Sequence, residues 1–145
     1  MEHRSDAGTV LLVDDEEVAL NVAKTALARA GFTVLTACDG REGVNLFRSH
    51  SEDIDVVLLD LTMPQLDGRG AFVEFKRLRD DVPIILMSGH TEELVRIQMQ
   101  GKAFDGFLQK PYHVASLIQK VRDFTEAPKN LPAPSQPPVP RPSLS

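Results

Sequence analysis

The amino-acid sequence predicts an α/β fold in which a doubly wound, five-stranded parallel sheet carries five helices. Short apolar runs alternate strictly with amphipathic segments, and this alternation is typical of repeated strand–helix units. Residues 56–59 are apolar without interruption, as in a strand buried on both faces. This run ends at Asp60, so we expect its carboxylate at the sheet edge where open α/β folds place their ligand crevices.

Five apolar runs predict the strands. The first leads directly into Asp14 and Asp15, the third ends at Asp60, the fourth ends at Ser88, and Lys110 follows the fifth. The predicted strands span residues 9–13, 32–38, 54–59, 83–87 and 104–108.

The segments between the strands have the apolar periodicity and the end signals of helices. Asp39 resembles an N-cap because Glu42 follows three residues later. Gly31 and Gly101 are predicted to be C-terminal stops. The predicted helices span residues 18–30, 39 to about 50, 70–79, 91–100 and 114–124.

Apolar stripes on these helices predict which side chains face the sheet. The helix over 91–100 has the thinnest stripe, with Met99 as its weakest member, which indicates a marginal, mobile helix. The side chains expected to face inward are those of Val18, Val22, Ala26, Leu27, Val44, Leu46, Phe47, Phe72, Phe75, Leu78, Leu94, Ile97, Met99, Val114, Leu117, Ile118 and Val121.

The composition is that of a globular domain with a core. The chain has 145 residues, 42% hydrophobic and 26% charged, with a formal net charge of -5. We expect no membrane span and no secretory signal, and therefore a cytoplasmic protein. A single cysteine, Cys38, excludes an intrachain disulfide and is expected to be a small buried hydrophobic residue. The acidic balance argues against direct nucleic-acid binding.

A change in composition near residue 125 predicts three regions. Residues 1–8 are expected to be a disordered N-terminus and residues 9–125 the folded domain. Residues 126–145 are expected to be a disordered proline-rich tail with polyproline II character. Pro134 and Pro137 have the spacing of a ligand for a proline-binding partner domain, although a plain linker or tail is favoured.

Polar residues at the predicted strand ends form one candidate site. Asp14, Asp15, Asp60, Ser88 and Lys110 all follow or end strands, and the carboxyl ends of parallel strands share one sheet edge. Three carboxylates close together repel each other, and a divalent cation relieves that repulsion. Oxygen ligands without His or Cys favour magnesium, or manganese, over zinc.

A cation and a lysine that face one carboxylate suit the binding and transfer of a phosphoryl group. The carboxylate facing both, Asp60, is the natural covalent nucleophile. His90 and His113 lack a second His or Cys at metal-ligand spacing and are expected to be ordinary loop and helix-start residues.

These residues give the chain a resemblance to the receiver domain of two-component response regulators, over about residues 9–124. The matching pieces are Asp14-Asp15, residues 60–68 (DLTMPQLDG), Ser88-Gly89 and Lys110-Pro111. Together they are specific, although each alone is weak. The resemblance implies a flavodoxin-like sheet with the strand order 2-1-3-4-5.

The resemblance implies how the site binds metal and phosphoryl groups. Asp60 would be the phospho-acceptor, and Asp14 and Asp15 would form the acidic pocket. The main-chain carbonyl of Thr62 would join the three carboxylates as a magnesium ligand. Lys110 would pair with a phosphoryl oxygen.

It also implies a switch. Ser88 would be the switch hydroxyl and Phe107 the aromatic switch residue, where many relatives have tyrosine. The bond before Pro111 would be cis. Thr62 and His90 would flank the attacking water and tune the dephosphorylation rate.

The implied partners are a histidine kinase or a phosphotransfer protein as donor, and an unknown output partner that binds the face formed by residues 91–124. The resemblance also leaves open whether the domain forms a weak homodimer. The last loop, Gln109-Lys110-Pro111-Tyr112, resembles receivers attached to sensor histidine kinases. No DNA-binding domain is expected after the proline-rich segment. The sequence is compatible with two kinds of protein, a free-standing regulator and the receiver part of a hybrid kinase.

Two other functions were weighed on the same fold. A flavodoxin-type electron carrier needs a phosphate loop after the first strand, where Asp14 to Glu17 would repel a flavin phosphate. A magnesium-dependent phosphatase with an aspartyl nucleophile usually carries a second Asp two residues later, and here that position is Thr62. The expected protein is therefore a signalling phosphoacceptor that catalyses only its own phosphorylation and dephosphorylation.

Overall fold

The computed structural model describes residues 7–62 and 67–125, with the backbone alone at Asp67. The strands are β1 (Thr9–Val13), β2 (Thr33–Ala37), β3 (Val56–Asp60), β4 (Ile84–Ser88) and β5 (Gly106–Gln109). The helices are α1 (Glu17–Arg29), α2 (Gly40–His50), α3 (Asp67–Leu78), α4 (Glu92–Gln98) and α5 (Val114–Thr125). The five strands form one parallel sheet in the order β2-β1-β3-β4-β5. The predicted fold class and strand order are thus confirmed.

Two hydrophobic clusters cover the two faces of the sheet, because side chains alternate along each strand. On β3, Val57 and Leu59 pack with α2, α3 and α4. Val56 and Leu58 pack on the other face with α1 and α5. All residues of β1, β3 and β4 are buried, which explains why these strands have uninterrupted apolar sequences.

Helix ends follow the predicted chemistry. The Asp39 side chain accepts a 2.8 Å hydrogen bond from the Glu42 N–H, so the predicted N-cap is confirmed. In return the Glu42 carboxylate accepts a 2.9 Å bond from the Cys38 N–H. Gly31 and Gly101 both have positive φ, at 104° and 85°, which is the left-handed conformation common after helices.

Several predicted inward faces are wrong. On α1, Val18 is 75% and Val22 is 54% exposed, while Leu20, Ala23 and Leu27 are buried. The helix has apolar residues on more than one side, and periodicity alone does not choose between them.

The same correction applies to three other helices. Leu78 of α3 and Val114 of α5 are exposed at the ends of their apolar stripes. On α4, Leu94 and Ile97 are exposed, and Val95 packs inward together with Met99.

Cys38 is exposed, contrary to the prediction of a buried residue. It lies one residue past β2, and its thiol donates a 3.2 Å hydrogen bond to the Glu42 carboxylate. That hydrogen bond and the charge of Glu42 raise the thiol's pKa. In the part of the chain that the structure describes, no helix is long and apolar enough to cross a membrane. The predictions for residues 1–6 and 126–145 lie outside the described residues.

Candidate functional site

Two buried carboxylates meet at the carboxyl edge of the sheet. Asp60 is the last residue of β3, and Asp14 follows β1, whose Val13 lies opposite Leu59 in the register. Both aspartates are 1% exposed, whereas the neighbouring Asp15 is exposed. One carboxylate oxygen from each of the three aspartates lies within 4.8 Å of the others. The structure therefore brings the predicted acidic residues together.

Lys110 completes the cluster from the loop after β5. Its Nζ lies 3.2 Å from Oδ2 of Asp14 and 3.2 Å from Oδ2 of Asp60. Its backbone N–H donates a 2.8 Å hydrogen bond to the Ser88 carbonyl, which anchors the loop to the end of β4. The bond between Lys110 and Pro111 is cis, as the resemblance implied.

Short-range hydrogen bonds orient the two buried carboxylates. Oδ1 of Asp14 accepts a 2.9 Å bond from the Glu16 N–H. Oδ1 of Asp60 accepts two bonds from Thr62, at 3.0 Å from the backbone N–H and 2.6 Å from the hydroxyl. Oδ2 of Asp60 is buried and accepts no hydrogen bond within the described residues, although Lys110 lies beside it as an ion-pair partner. This oxygen is left for a further ligand.

The surroundings shift the pKa values of the cluster. The pKa of Asp14 is raised to about 6: burial is the largest cause, the hydrogen bond from the Glu16 N–H opposes it, and the negative charge of Asp60 adds to it. Burial lowers the pKa of Lys110, but the charges of Asp60 and Asp14 outweigh it, so the pKa lies above its usual value. The lysine therefore stays protonated, and two buried carboxylates share its one positive charge.

This donor set fits a hard divalent cation. It offers carboxylate oxygens from three residues, one of them with an unsatisfied buried oxygen. Magnesium prefers oxygen ligands and keeps several waters, and the exposed Asp15 leaves one side of the cluster open to solvent.

The predicted switch residues surround the cluster. Ser88, the last residue of β4, is fully buried, and its Oγ accepts a 3.0 Å hydrogen bond from the His90 N–H. The hydroxyl proton of Ser88 therefore stays available for donation. Phe107 lies opposite Leu86 and is partly buried against the core. Thr62 and His90 are both exposed at the rim of the site.

Two residues of the site had no predicted role there. Gly68 was predicted only as the end of the matching segment 60–68, yet a Cβ at this position would lie 2.9 Å from the Asp60 carbonyl oxygen. Its missing side chain lets α3 begin at Asp67, against the strand end, and not at residue 70. Tyr112 is partly buried beside the cluster, and burial raises its pKa, with Lys110 opposing and the aspartates adding to the shift. The sequence signals were the Asp67-Gly68 pair and an aromatic residue directly after Lys110-Pro111.

A doubly wound sheet with this acidic cluster and lysine at its carboxyl edge defines the class of protein. It is a two-component signalling domain, and members of this class bind magnesium at such an acidic pocket.

Comparison with known proteins identifies the family. The model of the response regulator receiver domain matches residues 10–122, and the chain belongs to this family. It is 39% identical over 113 residues to a probable transcriptional regulator, ycf27, of Guillardia theta, covering 78% of this chain and 43% of that protein. It is 31% identical over 122 residues to the sensor kinase CckA of Brucella abortus, covering 84% of this chain and 13% of that protein.

A solved structure agrees with this assignment. The response regulator receiver domain protein from Clostridium thermocellum superposes with a TM-score of 0.75 at 28% identity, over 82% of this chain and 94% of that one. The chain spans less than half the length of the two curated relatives above. The match therefore concerns the receiver, and their names place such receivers both in a regulator and in a sensor kinase.

Proposed function

We propose that Asp60 accepts the phosphoryl group in this receiver, within a domain that spans residues 9–125. The observation that carries the proposal is the buried Oδ2 of Asp60, which accepts no hydrogen bond from the described residues and faces the only positive charge of the cluster. Its partner residues are a lysine and two further aspartates. The arrangement suits transfer of a small, strongly anionic group.

The donor is a histidine kinase or a phosphotransfer protein that carries phosphohistidine. A carboxylate oxygen of Asp60 forms a bond to phosphorus, the P–N bond breaks, and its electron pair stays on the imidazole nitrogen. The ammonium of Lys110 offsets the charge that the phosphoryl oxygens bring into the site. Because both ends of Lys110 are fixed, by the Ser88 carbonyl and by the two carboxylates, little reorganisation is needed.

Asp14, Asp15, Asp60 and the main-chain carbonyl of Thr62 would hold magnesium, and manganese would serve in its place. A bound divalent cation supplies charge neutralisation at the phosphoryl oxygens. One carboxylate oxygen from each of the three aspartates lies within 4.8 Å of the others. The phosphoanhydride that forms is hydrolysed at a rate that Thr62 and His90 tune from the rim.

Phosphorylation then shifts a two-state equilibrium in the face formed by residues 91–124. The Ser88 hydroxyl, whose Oγ already accepts from His90, donates to a phosphoryl oxygen. The movement of its loop opens space for Phe107, which has no hydroxyl that burial would leave unpaired. The short helix α4 keeps Leu94 and Ile97 exposed, so the face offers an apolar surface to an output partner. We place the protein in the cytoplasm, with its kinase.

The test is phosphorylation by acetyl phosphate, followed as intact mass with magnesium and with EDTA. We expect one added phosphoryl group in the wild type only with magnesium, and none in Asp60→Asn. Asp80→Asn is the matched control. It changes an exposed aspartate far from Asp60 in the sequence, and this variant should be phosphorylated as fully as the wild type. Equal labelling of Asp60→Asn and Asp80→Asn would refute the assignment. Turnover of external phosphate esters by the wild type would favour the phosphatase instead.

A further inference from the structure

An apolar groove runs between α1 and α5. Its larger part, about 640 Å³, lies between the second half of α1 and residues Val114 and Ile118 of α5. Its smaller part, about 480 Å³, reaches the loop of Lys110 and Tyr112. Val22 lines both parts. The groove is therefore continuous from the last turn of α1 to the rim of the acidic cluster.

The walls of this groove are unusual for a solvent-facing surface. Val22 is 54% and Val114 is 41% exposed, and contiguous exposed apolar patches typically mark binding surfaces. The polar groups that line its larger part are Asn21, Thr25 and Arg29, and all three can donate hydrogen bonds; the smaller part is lined by Glu16 and Lys110. Among residues 7–62 and 67–125, none of the three side chains of the larger part has a hydrogen-bond partner. The groove thus offers apolar contact and free donors.

We propose that residues 126–145 of the same chain bind in this groove. Seven of the 20 residues of this segment are prolines, and the others are apolar, polar and a few charged residues. Proline has no N–H, so the segment presents apolar rings and has fewer backbone donors than carbonyl acceptors. Proline-rich peptides in the polyproline II conformation dock in aromatic-lined grooves at low entropic cost, and Tyr112 lines the smaller part of this groove. The rings and carbonyl acceptors of the segment therefore complement the apolar walls and the donors of the larger part of the groove.

The segment starts close enough to reach the groove. It follows Thr125, the last residue of α5, and a Cβ placed on Gly8 would lie 3.6 Å from Thr125 Cγ2. Thr125 therefore lies at the start of β1, at the sheet edge where α1 also ends. The 12 residues of α5 span about 18 Å at 1.5 Å per residue. In polyproline II, 20 residues extend to about 62 Å, so the segment has length to turn back and pass along the whole groove.

Binding of this segment would cover the Tyr112 side of the rim while leaving the acidic cluster open on the side of Asp15. It would then compete with a protein that approaches along α1 and would leave small phosphoryl donors unaffected. This inference concerns occupancy of a surface and does not rest on phosphorylation of Asp60.

The test is paramagnetic broadening in the full chain by NMR. A nitroxide is placed at Ser135→Cys in a Cys38→Ser background, and amide signals are compared in the oxidised and reduced states. We expect residues 21–30 and 114–118 to lose about half of their intensity or more. Val22→Asp in the same labelled chain should restore these signals. Ile97→Asp, which changes a more exposed apolar residue on α4, is the matched control and should leave the broadening in place.

Two results would overturn the proposal. The first is full intensity at residues 21–30 in the labelled wild type, which would leave the groove to another protein. The second is equal broadening of isotope-labelled chain that carries no nitroxide when it is mixed with spin-labelled chain, since this would identify a second copy as the occupant. Broadening that persists at constant strength on dilution supports binding within one chain.

Discussion

Asp14→Asn should change how the stability of the metal-free domain depends on pH. Asp14 is buried beside Asp60, and its pKa in the folded state is raised to about 6 from the ordinary 3.8. Between these two values the folded state binds more protons than the unfolded chain. The free energy of unfolding therefore falls as the pH rises through this window. Asparagine does not titrate, so the variant should lack this loss.

The size of the effect follows from the two pKa values. Their difference of about two pH units corresponds to about 3 kcal/mol of stability, present in full below the unfolded pKa. About 2 kcal/mol of this should be lost between pH 4 and pH 7. The attraction between ionised Asp14 and Lys110 is already included in the pKa of Asp14. Lys110 itself stays charged throughout, because its pKa lies above its usual value.

The measurement is urea unfolding of both proteins in EDTA from pH 4 to pH 7. We expect the stability of the wild type relative to Asp14→Asn to fall steadily over this range. Asp15→Asn is the control, since Asp15 is exposed and its replacement removes no buried charge. Parallel stability curves for the wild type and Asp14→Asn would show that burial does not hold a proton on Asp14. At pH 7, magnesium at 100 times its Kd should raise the free energy of unfolding of the wild type by about 2.7 kcal/mol.

Three further predictions concern single side chains. Asp15→Asn should weaken magnesium binding at least tenfold, and an unchanged affinity by titration would remove Asp15 from the ligand set. Ser88→Ala should still be phosphorylated but lose most of the amide shift changes of residues 91–124 on adding beryllofluoride. The lost charge-assisted hydrogen bond is worth roughly 1.5–3 kcal/mol. This energy changes the equilibrium constant between the two states of the face by about one to two decades. A full wild-type shift pattern would contradict that coupling. Asp39→Ala should lower the free energy of unfolding by about 1 kcal/mol by removing the α2 cap, and an unchanged urea midpoint would argue against the cap.

The sheet and its edge could be predicted from the sequence because each strand is short, apolar and ends in a distinctive residue. Continuous runs such as residues 56–59 leave no polar face, so only a two-sided burial explains them. Once the strands are parallel, Asp14, Asp60, Ser88 and Lys110 must share an edge. The structure adds the distances, and above all the unsatisfied Oδ2 of Asp60, which no sequence pattern contains.

Helix faces were harder to predict, and the reason is physical. On α1, both the stripe of Val18 and Val22 and the stripe of Leu20, Ala23 and Leu27 have helical spacing. Which stripe packs on the sheet depends on how the loop before the helix leaves the strand. Here the Glu16 N–H, one residue before α1, donates to Oδ1 of Asp14. Leu20, Ala23 and Leu27 are the residues that α1 buries, and Val18 and Val22 stay in solvent.

The same reasoning links the exposed valines to the site. If α1 had turned its Val22 stripe inward, the groove beside Tyr112 would close and Leu20 would be the exposed residue. The observed rotation instead leaves an apolar surface that begins at the rim of the acidic cluster. Exposed apolar area of this kind costs about 25 cal/mol per Å² relative to burial, so a bound segment or protein gains that energy. The loop that holds the Asp14 carboxylate therefore leads directly into a helix whose exposed Val22 lines the groove beside Lys110 and Tyr112.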